Sequence, residues 1–507
     1  MNPLSSCGID PMSVMTHPGL SGLWIWVIFM SCVSIGIMIF WQQSGTYSQR
    51  RWLLWTSGGL PAWLKTPWLL LSLRFIVVFL FVLVIISGLW GTPVPEHNLA
   101  TVLTWNIWWA GLILVIFLLG NIWCSVCPWD SLASWFVGGR LWKRGSMANR
   151  LNLKVPKIFR NIWPALLMFI GLTWLELGIG ITTSPKYTAW LAVFMFVFVV
   201  ISLILFERKA FCRYFCPVGR TIGCYAQLAP VALRPIEPSR CISCNTLECY
   251  YGNESTDPCP TALVMGNLKQ NTYCTGCALC VRSCPHSNVS WELRPLAQEA
   301  ITVNRPRLDE AGFIVILVAL TTFHGVTMMP FWEGWMIAIG DLIGDKTRQQ
   351  LWSFSIGLVI FTSIPVLIYA LFIGMIPRGD FKRDLMDLAY SLTPLALCYH
   401  LAHNMNHLLR EGGGVLQVLL DPLGWNITPL TLLERHVRQL PVLSDQTLYA
   451  LQSGLMILAF GLSMRIFRRR AFLAGFSGWQ YVPVGGVIVL IMVMNVWLLS
   501  QPMVMRM

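Results

Sequence analysis

Twelve of the sixteen cysteines stand in pairs and runs whose spacing suits metal ligation. Cys274, Cys277, Cys280 and Cys284-Pro285 form Cys-x2-Cys-x2-Cys-x3-Cys-Pro, a run in which three thiolates grip one cubane cluster and the fourth reaches a second. Upstream, Cys241, Cys244, Cys249 and Cys259-Pro260 repeat it in stretched form, with a second gap of four residues and a last gap of nine. Crossed ligation assigns Cys241, Cys244, Cys249 and Cys284 to one 4Fe-4S cluster, and Cys274, Cys277, Cys280 and Cys259 to the other. Four thiolates also suit zinc, but a structural zinc site needs neither the Cys-Pro ending nor the three-residue third gap.

Two further pairs, Cys124-Ser-Val-Cys127-Pro128 and Cys212-Arg-Tyr-Phe-Cys216-Pro217, each close an apolar run and precede a turn and basic residues. They read as copies of one another, so two related helical hairpins bring four thiolates to one membrane face. Such a set can ligate a third cluster, bind a soft metal ion or form a redox-active dithiol. Cysteine packs well in membrane helices, but packing does not explain why each pair ends in proline. Cys7, Cys32, Cys224 and Cys398 are left over.

Histidines form a second set. His400, His403 and His407 share a helical stripe about 60° wide, and His324, followed by Met328 and Met329, lies at similar depth on another span. Ionisable side chains inside a membrane are costly and usually face inward. Imidazoles from facing helices suit haem b, imidazole with thioether suits copper, and a histidine beside a redox centre suits quinol chemistry. The plainer alternative is helix-to-helix hydrogen bonding. Glu176, also within a span, is a candidate proton acceptor for catalysis, and Arg74 reads as a snorkelling cation.

These residues need a membrane scaffold to position them. The 507-residue chain is 55% hydrophobic and 12% charged, about half the charge of a soluble protein. That excludes a soluble enzyme, a disordered regulator and a secreted disulfide scaffold. Ten stretches reach the roughly 20 residues needed to cross: Gly22 to Trp41, Trp68 to Trp90, Val102 to Trp123, Ile162 to Ile181, Thr188 to Phe206, Ala311 to Pro330, Leu351 to Met375, Leu385 to Leu409, Thr447 to Phe467 and Val482 to Ser500. The connections after the odd-numbered spans hold 28 of the 36 Lys and Arg, which predicts that they are cytoplasmic and both termini outside. The net charge of +13 is then topology, and no nucleic-acid module, Gly-rich phosphate loop or Ser-His-Asp order accompanies it. No basic region or cleavage site precedes the first span, which is expected to stay uncleaved.

The expected fold is therefore an all-α polytopic membrane protein of about ten transmembrane helices with an inserted cytoplasmic α+β two-cluster ferredoxin module. A five-span domain with the Cys-Pro pairs covers residues 1–206, the module 207–310, where cytoplasmic thiols stay reduced, and a second five-span domain with the histidine face 311–507.

The Cys-Pro pairs at span ends, followed in the same chain by the two cysteine runs, resemble the NapH/NosR-type membrane ferredoxins, including their CcoG-like relatives. The resemblance covers residues 68 to 295 or so. Cys212 to Pro217 matches that family's Cys-x-x-x-Cys-Pro motif; Cys124 to Pro128 is one residue short. The resemblance implies a protein of the prokaryotic cytoplasmic membrane that moves electrons between the quinone pool or a cytoplasmic donor and an extracytoplasmic redox protein or metalloenzyme. It would be an electron-transfer subunit of a quinol-linked oxidoreductase. Two rival functions fit the same residues: copper handling or metalloenzyme maturation, in which the ferredoxin reduces a bound metal, and a membrane redox sensor.

Overall fold

The computed structural model describes residues 16–41, 52–53, 67–138, 150–302, 306–347, 350–377, 380–426 and 443–504; Cys7 lies outside them. Eight helical segments among the described residues are long and apolar enough to cross a membrane. We label the helices that matter here α1 (Gly22–Trp41), α2 (Pro67–Trp90), α3 (residues 99–119), α4 (Pro128–Gly138), α5 (Trp163–Ile179), α6 (Pro185–Leu205), α7 (Pro217–Tyr225), α8 (Leu308–Thr327), α9 (Leu351–Gly374), α10 (Thr393–Asn406), α11 (Asp445–Leu473) and α12 (Tyr481–Ser500). The fourth and eighth expected spans differ from the rest. Helix α5 is a shorter apolar helix, about 25 Å long at 1.5 Å per residue. The eighth is broken into Phe381–Leu388, a 3-10 turn at Ala389–Leu392, α10 and a π-helical turn at His407–Glu411. Its Asp384, Asp387, His400, His403, Asn404, Asn406 and His407 make it too polar to stand as one apolar rod.

The connections sort onto two faces. On one, β1 (Thr16–His17) pairs antiparallel with β5 (Met503–Val504), and Thr92 and Leu99 donate backbone bonds to Leu423 and Pro422. On the other, β2 (Trp52–Leu53) joins β4 (Val289–Leu293), which pairs with β3 (Val231–Pro235), and Leu153 bridges to Phe206. The segments before α1 and after α12 thus share one face, which requires an even number of crossings. The segments after the first, third and fifth spans share the opposite face with the cysteine runs.

Those runs form a small α+β unit on the three-stranded antiparallel sheet, ordered β2-β4-β3, around Leu233, Met265, Val281 and Val289. A buried ionic cluster anchors the segments of this unit to one another. Buried Glu299 accepts hydrogen bonds from Arg234 and Arg294, and its other oxygen accepts the Asn271 backbone N–H at 2.8 Å. A carboxylate shared by two buried guanidiniums is tolerable only while all three groups are paired.

Glu299→Ala leaves both cations unpaired. It is expected to cost about 3–5 kcal/mol, seen as a lower thermal midpoint of the detergent-solubilised protein and faster thiol labelling in the cysteine unit. An unchanged midpoint would contradict the anchor.

Candidate electron-transfer centres

The local backbone explains how each cysteine is presented. Helix α3 ends at Gly120, whose φ of +65° suits glycine and lets a 3-10 turn, Gly120–Ser125, carry Cys124 out of the helix axis. Pro128 then starts α4 and Pro217 starts α7, because proline fits the first helical turn, where the backbone lacks acceptors. Each Cys-Pro step therefore sets a thiol at a helix N-terminus. At Cys216 the Sγ accepts the Gly219 backbone N–H at 3.2 Å.

Cys124, Cys127, Cys212 and Cys216 line one cleft of about 450 Å³. Arg74, read from the sequence as a snorkelling residue, instead lines this cleft and donates from Nε to the Ser125 carbonyl at 2.8 Å, holding the Cys124–Cys127 turn. Lys209 pairs with Asp130 at 2.6 Å in the same cleft. Behind the thiols lies the fully buried Arg220, which donates to the carbonyls of Cys212 (2.8 Å) and Thr272. Nothing in the motif spacing identifies Arg220 or Asp130.

The eight other cysteines line two further cavities. Cys241, Cys244, Cys249 and Cys284 border one; Cys259, Cys274, Cys277 and Cys280 border the other, together with Cys249. Sulfur atoms in both accept backbone N–H bonds: Cys284 from Asn288 at 3.3 Å, Cys259 from Leu263 at 3.3 Å and Cys274 from Gly276 at 3.4 Å. A Cβ on Gly266 would lie 2.6 Å from the Cys241 Cβ, so the chain at 266 is kept bare to let that thiol sit. Donor chemistry and this cradle fit a thiolate-ligated cluster. Burial pushes the Cys274 thiol up to about 12 and raises Cys277 and Cys280 as well, whereas the Leu247 backbone N–H and the Thr246 hydroxyl lower Cys244. At neutral pH the buried thiols hold their protons until a metal displaces them.

The histidines gather elsewhere. Ligand nitrogens of His324, His403 and His407 lie within 4.8 Å of one another, with ring centroids 4.9 Å apart for His324 and His403 and 5.6 Å for His403 and His407. Glu176 lines a cavity with His324, His400 and His403, apart from the cysteines. His400 stands off from the trio: its Nδ1 is 3.3 Å from the Tyr225 Oη at the far end of α7. Its ring is 5.9 Å from Trp109. From there rings continue to Trp108 (5.9 Å), then to Trp123 and Trp129 (5.7 Å each), both on the cysteine cleft. One local signal marks the sites: π-helical turns, rare and often functional, carry Trp108 and Trp109 (Val102–Trp109), Glu176 (Leu175–Ile179), Cys212 (Phe211–Phe215) and His407.

Comparison with known proteins bears on this arrangement. Residues 101–144 and 188–229 match the family described as a 4Fe-4S binding domain. Those two segments hold Cys124, Cys127, Cys212 and Cys216 and none of the eight cysteines from 241 to 284. The chain is 30% identical over 133 residues to YccM of Escherichia coli, named provisionally as an electron transport protein; the match covers 26% of this chain and 33% of YccM. It is 21% identical over 223 residues to an uncharacterised protein of Methanocaldococcus jannaschii, covering 44% of this chain and 83% of that one. The chain thus spans about a third of the length of YccM. No solved structure matches. These matches support iron–sulfur electron transfer and are confined to the part of the chain they cover.

Gly266→Ala forces a Cβ against Cys241. It is expected to remove about four iron atoms and their sulfide from anaerobically purified protein while leaving the remaining iron bound. Full iron retention would refute the cradle.

Proposed function

We propose that the chain relays electrons through three thiolate-held iron–sulfur centres that meet a quinol at the membrane face. The observation carrying this reading is that the cavities share walls. Cys249 borders both cavities of the cysteine unit, and Cys277 borders the second cavity and the Cys-Pro cleft. When bound, 4Fe-4S clusters supply one-electron donors and acceptors at these positions. The crossed sets, Cys241, Cys244, Cys249, Cys284 and Cys259, Cys274, Cys277, Cys280, hold two. Cys124, Cys127, Cys212 and Cys216 hold the third, supported by a family match that covers those pairs.

The residues around the cleft fit a quinone. Leu70, Leu71, Met195 and Val199 form an apolar wall at the ends of α2 and α6, while Asp130, Lys209, Arg74 and Arg150 form a polar one. Amphipathic clefts of this kind bury a ring and orient its oxygens through a few polar groups. A quinol oxidised there would become a quinone, passing its two electrons one at a time to the thiolate-held centres and its two protons outward, one by way of Asp130 beside Lys209 and the other to the water at the cleft mouth. Arg220 holds the Cys212 carbonyl behind the set. Concentration of Lys and Arg on the cysteine face supports a cytoplasmic position for it and an extracytoplasmic redox partner opposite, in a prokaryotic inner membrane.

Cys124→Ser with Cys212→Ser is expected to lower iron from about twelve to about eight atoms per chain and to abolish quinol-driven reduction of the centres that remain, followed by visible absorbance under anaerobic conditions. Reduction by quinol at the unaltered rate would overturn the reading.

A further inference from the structure

We propose that His324, His403 and His407 hold a single transition-metal ion, a site separate from the iron–sulfur relay and independent of it. His403 is 2% exposed, and neither of its ring nitrogens has a hydrogen-bond partner among the described residues. A buried imidazole left in that state costs free energy comparable to a lost hydrogen bond or more. His324 and His407 bring their nitrogens to the same point. Imidazole nitrogens around one ion at about 2.0–2.1 Å lie somewhat closer together than the 4.8 Å spread seen, so small ring rotations close the set. The Tyr399 Oη, also buried without a partner among the described residues, and Glu176 line the same cavity as His324 and His403.

The arrangement favours an ion over a porphyrin. His403 and His407 lie one turn apart on one helical face, so they cannot bind opposite sides of a haem. Axial ligation by His324 and either of them would leave the third imidazole unexplained, whereas one ion accounts for all three. His400, with its Nδ1 turned to Tyr225, is outside the set. Neutral imidazoles without a thiolate select a borderline ion such as iron, copper or zinc.

Cobalt(II) is the probe of choice, because an imidazole-bound ion shows visible d–d bands without the thiolate charge-transfer band expected at the cysteine sites. Full-length protein in detergent should take up one equivalent with that spectrum. His403→Ala should lose the uptake, and His400→Gln should keep it, with iron and sulfide unchanged in both. If His403→Ala does not fold, His407→Ala and His324→Ala serve, each checked by circular dichroism. Equal uptake in wild type and all trio variants, or no uptake in wild type, would overturn the proposal. So would a b-type haem spectrum that disappears with His403→Ala. Loss of quinol oxidation with normal cobalt uptake would instead contradict the relay and leave the metal site standing.

Discussion

The arrangement of the cysteine sites depends on one buried cation. Arg220 sits on the first turns of α7 with no solvent exposure and donates to the carbonyls of Cys212 and Thr272. It therefore bonds at once to a Cys-Pro motif of the membrane domain and to the loop that leads into Cys274. A guanidinium deprived of water depends on its hydrogen bonds; the Arg220 Nε already has no partner among the described residues, so separating the two segments would strand the remaining donors as well. Close packing reinforces the seam. Asn121 donates to Asn271 at 3.0 Å and also to Cys274. Added Cβ atoms on Gly223 and Gly276 would strike Thr272 and Asn121 at 2.2 and 2.9 Å. Electron transfer weakens steeply with distance, and this seam fixes the spacing between the cleft and the cavity that share Cys277.

Helix α7 extends the same logic inward. It begins at the Cys216-Pro217 step and ends at Tyr225, whose hydroxyl meets His400. Nine residues at 1.5 Å each make it about 13 Å long, so a short rigid rod sets the depth of the histidine region relative to the thiols. The ring sequence His400, Trp109, Trp108 and Trp123 runs between the same two regions. Helix α8, buried on nearly every side, carries His324 on this interior axis.

Much of the scaffold was legible in the sequence, because apolar length and cysteine spacing are local signals. Eight of the ten expected spans coincide with apolar helical segments among the described residues, although the third is part of a longer stretch, Leu99–Gly138, that turns at Gly120–Ser125. The eighth is broken because the polar residues that make it a candidate site also remove its apolar signal. The shared face of the three histidines follows from their period, yet the period cannot tell that His400 turns to Tyr225 while the other two meet His324. Arg74 looked like an end-of-span cation; only the tertiary position of Ser125 makes it a support for the Cys124 turn. Arg220, Asp130 and Trp109 carry no spacing signature, since Arg220 meets Thr272, Asp130 meets Lys209 and Trp109 meets His400 only through the tertiary fold.

The central claim is that three thiol sites stand as near neighbours in one chain. Electron paramagnetic resonance of the anaerobically reduced full-length protein tests it most directly. Neighbouring reduced clusters should give spectra broadened and split by spin–spin interaction, which simplify when Arg220→Met loosens the seam. Sharp, non-interacting signals unaffected by Arg220→Met, or a silent protein carrying stoichiometric zinc, would contradict the account.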